Sequence, residues 1–202
     1  DKLLGAKYIN MMEQGIDAFW TDLGEPENVP SAAYFNQLSE RDFHNYYNSE
    51  WSRLIYQTIS KKFPDRRLLI LSRSGWTGSA KYGVSVWSGD VTSNFDGLAK
   101  QTLLGINSGL TGFSYWGSDV GGFESRGQKP EKELFIRWMQ FGAFSPVFRP
   151  HGAKSPREPW IHGKETMEII KSFIHTRYRL LPYIYSTAYQ TSVHGIPMMR
   201  PM

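Results

Sequence analysis

Asp22 and Asp90 each stand just past a short apolar stretch, Ile16 to Asp22 in one case and Val84 to Trp87 in the other. Two carboxyl groups held on either side of one carbon can divide a substitution between them. One attacks while the other protonates the leaving oxygen. For a glycosidic bond cleaved with retention they must sit about 5–5.5 Å apart. Sequence alone supplies no distance, and a strand-end aspartate can equally cap the helix that follows. Arg73, Asp119 and His151 also lie at or just past predicted strand ends.

Positioning these residues requires a scaffold, and the hydrophobic pattern supplies one. Leu4, Tyr8 and Met11/Met12 recur at helical spacing before Gly15, which predicts a helix over 2–14. A strand over 16–22 follows, then a long loop marked by Pro26 and Pro30. Phe43, Tyr47, Trp51, Ile55 and Ile59 line one side of a helix over 42–62. Strands are expected at 68–73, 84–87, 112–116 and 146–149, with helices over 96–108 and 130–143. Residues 163–192 read as one or two helices, interrupted at Pro182.

Alternating strands and helices imply a mainly parallel sheet. Reactive residues at the C-terminal ends of successive strands fit a (β/α)8 TIM barrel, whose active site occupies that face. A full barrel takes about 250 residues, so the 202 residues here are read as its C-terminal part, about strands 4 to 8.

Composition removes several alternatives. At 40% hydrophobic and 21% charged, the chain is globular rather than disordered. No apolar run reaches the eighteen or so residues of a membrane span, and no basic stretch followed by an apolar block opens the chain. The absence of cysteine excludes disulfides and cysteine-based metal or redox sites. His44, His162, His175 and His194 lack metal-ligand spacing. Gly75 to Gly83 lacks the lysine-serine/threonine ending of a phosphate loop. The net charge is a mild +4, and the nearest thing to a basic patch, Lys61-Lys62 and Arg66-Arg67, is read as a solvated rim rather than a nucleic-acid footprint. No cofactor or metal is expected.

Several stretches in order resemble glycoside hydrolase family 31. They are Phe19-Trp20-Thr21-Asp22-Leu23-Gly24-Glu25, Leu71-Ser72-Arg73-Ser74-Gly75 and Val86-Trp87-Ser88-Gly89-Asp90. Gly117-Ser118-Asp119-Val120-Gly121-Gly122-Phe123, Phe148-Arg149-Pro150-His151 and Thr176-Arg177-Tyr178-Arg179-Leu180-Leu181-Pro182-Tyr183 complete the set. The resemblance implies a retaining α-glycosidase acting on an oligosaccharide or other α-glycoside, with Asp22 as nucleophile and Asp90 as acid/base. Arg73 and His151 match residues that bind sugar hydroxyls. Asp119 matches an aspartate that binds sugar or orients Arg73. Trp20, Trp87 and Phe123 match the subsite walls. The resemblance also implies that residues 1–202 are one partial barrel domain, with earlier strands and accessory β domains outside this chain. The rest of that catalytic domain is then a required partner, while no nucleic-acid or membrane partner is expected.

Each residue also has a purely structural reading. Arg73 can be a salt-bridge partner, His151 a satisfied strand-end histidine, and Asp119 a turn residue. Trp20 and Trp87 can be core. Glu25 and Glu27 suit structural ion pairing better than a third catalytic carboxylate. Two departures concern the substrate: Asp22-Leu23-Gly24-Glu25 stands where many members have Asp-Met-Asn-Glu, and Pro150 where many have asparagine. The glycine form resembles members acting on α-xylosides, α-galactosides and sulfonated sugars. A transglycosylase on the same scaffold and a non-catalytic sugar-binding relative are the competing readings.

Overall fold

In the computed structural model, which describes residues 2–30, 33–35 and 37–201, the first helix is α1, Lys2–Glu13. Its buried positions, Gly5, Tyr8 and Met12, form one inward stripe. Gly5 belongs to it because Thr58 packs so close that a Cβ at Gly5 would come within 3.0 Å of its hydroxyl. The chain then forms β1 (Ala18–Thr21), the short strands β2 (Tyr34–Phe35) and β3 (Leu38–Ser39), α2 (Glu40–Lys62), β4 (Leu69–Ser72), a 3-10 turn η1 (Ser79–Tyr82) and β5 (Val84–Trp87). Beyond these come α3 (Phe95–Leu110), β6 (Trp116–Val120), α4 (Lys132–Ala143), β7 (Val147–Pro150) and α5 (Lys164–His194). The chain divides into two compact units, Asp1–Val86 and Trp87–Met202.

In the first unit, β4 pairs in parallel with β1 and with β5, and α1 packs on α2. The register sets Trp20 against Leu71 and Thr21 against Ser72. Helix α2 begins at a capping serine, Ser39, whose hydroxyl accepts from the Asp42 amide at 3.2 Å. Acids in its first turn and Lys61 and Lys62 in its last match the helix dipole. The core joins Tyr8, Met12, Phe19, Ile55, Ile59 and Ile70. Tyr8 meets Phe19 edge-on at 4.9 Å and accepts the Trp51 indole N–H at 2.8 Å. The basic rim is paired: Arg66 with Asp17 at 2.8 Å and Lys62 with Glu13 at 3.7 Å.

In the second unit, β6 and β7 pair in parallel with Asp119 opposite Arg149. Val120, Leu134, Phe135, Trp138, Met139 and Ile170 form its core. Each such side chain contributes about 1.5–3 kcal/mol on burial. Arg177 fixes α5 to the end of α4, donating to the carbonyls of Ala143, Ser145 and Pro146 at 2.7–3.0 Å. A cation suits these helix-end carbonyls.

Three expectations need correction. The strand expected over 112–116 lies at 116–120, and Asp119 is inside it rather than past its end. Its polar residues read as a turn, yet all five positions are buried and their partners come from distant segments. Ser118 accepts the Trp138 indole N–H at 3.0 Å, and Asp119 pairs with Arg149. Gly117 serves close strand packing, since a Cβ there would meet the Val147 carbonyl oxygen at 2.7 Å. Second, Pro182 does not interrupt α5, which runs through it for 31 residues. The carbonyl that loses a donor belongs to Tyr178, on a turn exposed to water (68%). Third, the region after Pro30 is not wholly a loop but contains the antiparallel pair β2 and β3. Two-residue strands carry too little alternation to read. The first strand is also shorter than expected, beginning at Ala18.

Candidate active site

Side chains alternate across a strand, so Trp20 and the residue two beyond it, Asp22, share a face. The same rule puts Leu71 and Arg73 on one face of β4. Because Trp20 lies opposite Leu71, two residues further along both strands set Asp22 beside Arg73. The ladder continues to that point, with the Arg73 amide donating to the Thr21 carbonyl at 3.2 Å. Arg73 Nε lies 3.4 Å from Asp22 Oδ1. The Leu23 amide donates to the same oxygen at 3.0 Å. Leu23 adopts a left-handed φ of 57°, an uncommon conformation for leucine that turns its N–H back toward the carboxylate.

Arg73 is held by two further acids. Its Nε and Nη2 donate to the two carboxylate oxygens of Glu25, both at 2.8 Å, and Nη2 also donates to Glu27 at 2.6 Å. These bonds push the guanidinium above its ordinary pKa. They hold the Glu25 carboxyl below the usual glutamate value, Arg73's hydrogen bond being the main cause. Glu25 and Glu27 are thus ion-pair partners of Arg73. Beneath Arg73, Ser72 is fully buried and its hydroxyl accepts from Asn48 Nδ2 at 2.7 Å. Asn48 Oδ1 accepts in turn from Ser52. This network ties the end of β4 to α2.

The second unit carries the other predicted residues. Asp90 is exposed and follows Gly89, whose φ of 73° makes the turn out of β5. The segment after it is zipped to the Phe123 loop. Ser93 N–H donates to the Glu124 carbonyl at 2.9 Å, and Glu124 N–H to the Val91 carbonyl at 3.1 Å. Trp87 is buried (6%), and the Arg149 guanidinium lies over its ring at 5.4 Å. Asp119 (1% exposed) accepts from Arg149 Nη2 at 2.5 Å. Phe123 stacks on His151 with ring centres 5.6 Å apart and planes 26° from parallel. Trp20, by contrast, is half exposed.

The structure therefore joins Asp22 with Arg73, and, separately, Asp119 with Arg149 and Phe123 with His151. Sequence reasoning missed Arg149 although it stood in a quoted motif. Its place opposite Asp119 in register is the signal that finds it. Asn48 and Arg157 had no local signal, because their partners are 24 and 35 residues away. Among the described residues no group of three or more His, Cys, Asp or Glu is arranged to hold a metal ion. None of the helices described is long and apolar enough to cross a membrane.

Comparison with known proteins places the chain in a family. The model of the Glycosyl hydrolases family 31 TIM-barrel domain matches residues 4–187. An α-xylosidase from Saccharolobus solfataricus is 36% identical over 198 residues, covering 93% of this chain and 27% of that protein. Among solved structures, a Flavobacterium johnsoniae GH31 dextranase complexed with glucose superposes with a TM-score of 0.89 at 27% identity, covering 98% of this chain and 26% of that one. A GH31 α-xylosidase from a soil metagenome, complexed with xylose, gives 0.87 at 31% identity, covering 95% and 32%. The chain belongs to glycoside hydrolase family 31 and has the fold of part of its TIM-barrel domain. It spans about a quarter of the length of the curated relatives it matches.

Proposed function

We propose that this protein hydrolyses terminal α-linked sugars with retention of configuration, Asp22 being the nucleophile and Asp90 the acid/base. The observation that carries the reading is Asp22 itself: a carboxylate at a strand end, oriented by its own turn and 3.4 Å from the guanidinium of the adjoining strand. Asp22 attacks the anomeric carbon as the bond to the leaving oxygen breaks, and that oxygen takes the proton of Asp90. Water then adds to the same carbon and gives its proton to Asp90, and Asp22 is released. Two inversions restore the original configuration. Arg73, kept charged by Glu25 and Glu27, supplies fixed donors for a sugar hydroxyl. His151, its ring held by Phe123, supplies another. Asp119, Trp20 and Trp87 complete the proposed sugar-binding set.

The substrate class we favour is an α-xyloside. The α-xylosidase relative and the xylose-bound neighbour support it, as does the glycine at position 24. A Cβ there would fall 2.8 Å from Asn48 Nδ2 and 3.3 Å from the Trp51 ring, so a larger residue would displace the Asn48 amide. The test uses the full-length protein on nitrophenyl α-xyloside, α-glucoside and α-galactoside. The xyloside should give the highest kcat/KM, and a preference for galactoside overturns the substrate assignment. Asp22→Ala should lower turnover by at least about 10³-fold. Unchanged turnover overturns the nucleophile. Products dominated by transfer to a second sugar would make the protein a transglycosylase instead.

A further inference from the structure

Arg157 belongs to none of the roles above, yet it is 5% exposed. A guanidinium so deeply placed must find partners for its N–H groups or lose much of its hydration energy without return. Its partners are backbone carbonyls. Nε and Nη2 both donate to Gly122, at 3.2 and 2.6 Å. Nη1 donates to the carbonyls of Ser155 and Pro156, at 3.2 and 3.0 Å, and to the Ser155 hydroxyl. Gly121 and Gly152 flank it, and a Cβ would meet Arg157 Cδ at 2.8 Å from the first and Cζ at 2.5 Å from the second. Burial depresses the guanidinium pKa, and the nearby charge of Asp119 opposes that effect.

What Arg157 holds is the junction of three loops. Gly122 precedes Phe123, whose carbonyl accepts from the Ala153 amide at 2.9 Å. Its neighbour Gly121 accepts from the Ser93 hydroxyl at 2.6 Å. Gly122 leaves no room either, since a Cβ would come 2.4 Å from Ser93 Cα. The loop after Asp90 therefore meets the Phe123 loop at Gly121 and Gly122, and Arg157 ties that loop to the segment after His151. Arg157 also lines a cleft of about 420 Å³ together with His151, Gly152, Ser155 and Glu158.

We propose that Arg157 is a positioning residue that holds the loops bearing Asp90, Phe123 and His151 in one arrangement. It acts through them without touching substrate. The inference rests on the reading of those residues as parts of the active site. A lysine preserves the charge but presents it as a point, without the planar fork that reaches Gly122 and Ser155 together.

The test is Arg157→Lys in the full-length protein, with hydrogen–deuterium exchange and steady-state kinetics. Exchange should rise over 121–124 and 151–157 and stay unchanged over α1 and α2. The kcat/KM should fall about tenfold, and that loss should be clearly smaller when His151 is already alanine, because part of it acts through His151. A merely structural residue would lower stability and add its loss independently of His151. Gly152→Ala, whose new methyl would push Cζ from the other side while leaving the arginine in place, should reproduce the exchange pattern if the lysine variant does not fold. Unchanged exchange at both segments, or fully additive kinetics, overturns the proposal. The exchange readout does not depend on turnover, so an Asp22→Ala enzyme that stays active would refute the function while leaving the clamp to be judged separately.

Discussion

The two units solve opposite electrostatic problems. In the first, one guanidinium, Arg73, meets three carboxylates, Asp22, Glu25 and Glu27, at a partly exposed strand end. In the second, one buried carboxylate, Asp119, meets the guanidinium of Arg149 and feels the charge of Arg157. Where acids outnumber the cation, water solvates the surplus, and geometry comes from a strained turn and a strand register. Where the carboxylate is 1% exposed, water cannot help, and geometry comes from packing and from carbonyls aimed at the cations. The same pair of chemical groups is therefore cheap to disturb in one place and costly in the other.

The largest effect should come from the buried side of that contrast. Asp119→Ala removes a buried counter-charge that faces both Arg149 and Arg157, an expected loss of about 3 kcal/mol in the full-length protein. Thermal unfolding would show it. A loss below about 1 kcal/mol would mean that the two cations find other partners, and that the contrast is not one of burial.

Next in size is Asn48→Ala, which strips the buried Ser72 and Ser52 hydroxyls of a common partner. About 2 kcal/mol should be lost, with kcat/KM falling because the end of β4 carries Arg73. Stability lost with kinetics unchanged would separate the network from the site.

The smallest effects belong to the exposed acids. Arg73 holds the Glu25 carboxyl below its ordinary 4.5, so its contribution to stability is fully present above that pH. It is lost as pH falls through the lower folded value. Glu25→Gln should lose about 0.5–1 kcal/mol at pH 7, partial exposure weakening the pair, and should flatten the acid limb of stability between pH 5 and 3. Glu27→Gln, whose partner bond is single and exposed, should change stability by less than about 0.5 kcal/mol. Equal effects for both would show that charge alone, and not the paired hydrogen bonds of Glu25, matters here.

How far the sequence could be read follows the same division. Asp22 and Arg73 were legible because a short apolar run ended just before each, and local pattern is what a sequence displays. The helix expected over 42–62 was legible from its apolar stripe, and the structure starts it two residues earlier, at Glu40 after the Ser39 cap. β6 was misplaced because its polar letters gain meaning only from Trp138 and Arg149, 20 and 30 residues onward. The break expected at Pro182 overrated a local rule where solvent could take the freed carbonyl. Arg157 carries no periodicity at all, and the glycines packed against it are Gly152 in its own loop and Gly121 more than thirty residues earlier.

The crowding of Gly24 also constrains how this protein's descendants or engineered variants can change. An asparagine in place of Gly24 would bring its Cβ to 2.8 Å from Asn48 Nδ2, so the Asn48 amide would have to turn aside. That amide is what donates to Ser72 beneath Arg73. A substitution at Gly24 is thus coupled to the hydrogen bond beneath Arg73, the arginine proposed to bind the sugar. The turn that follows Asp22 and the support beneath Arg73 are linked through a single amide.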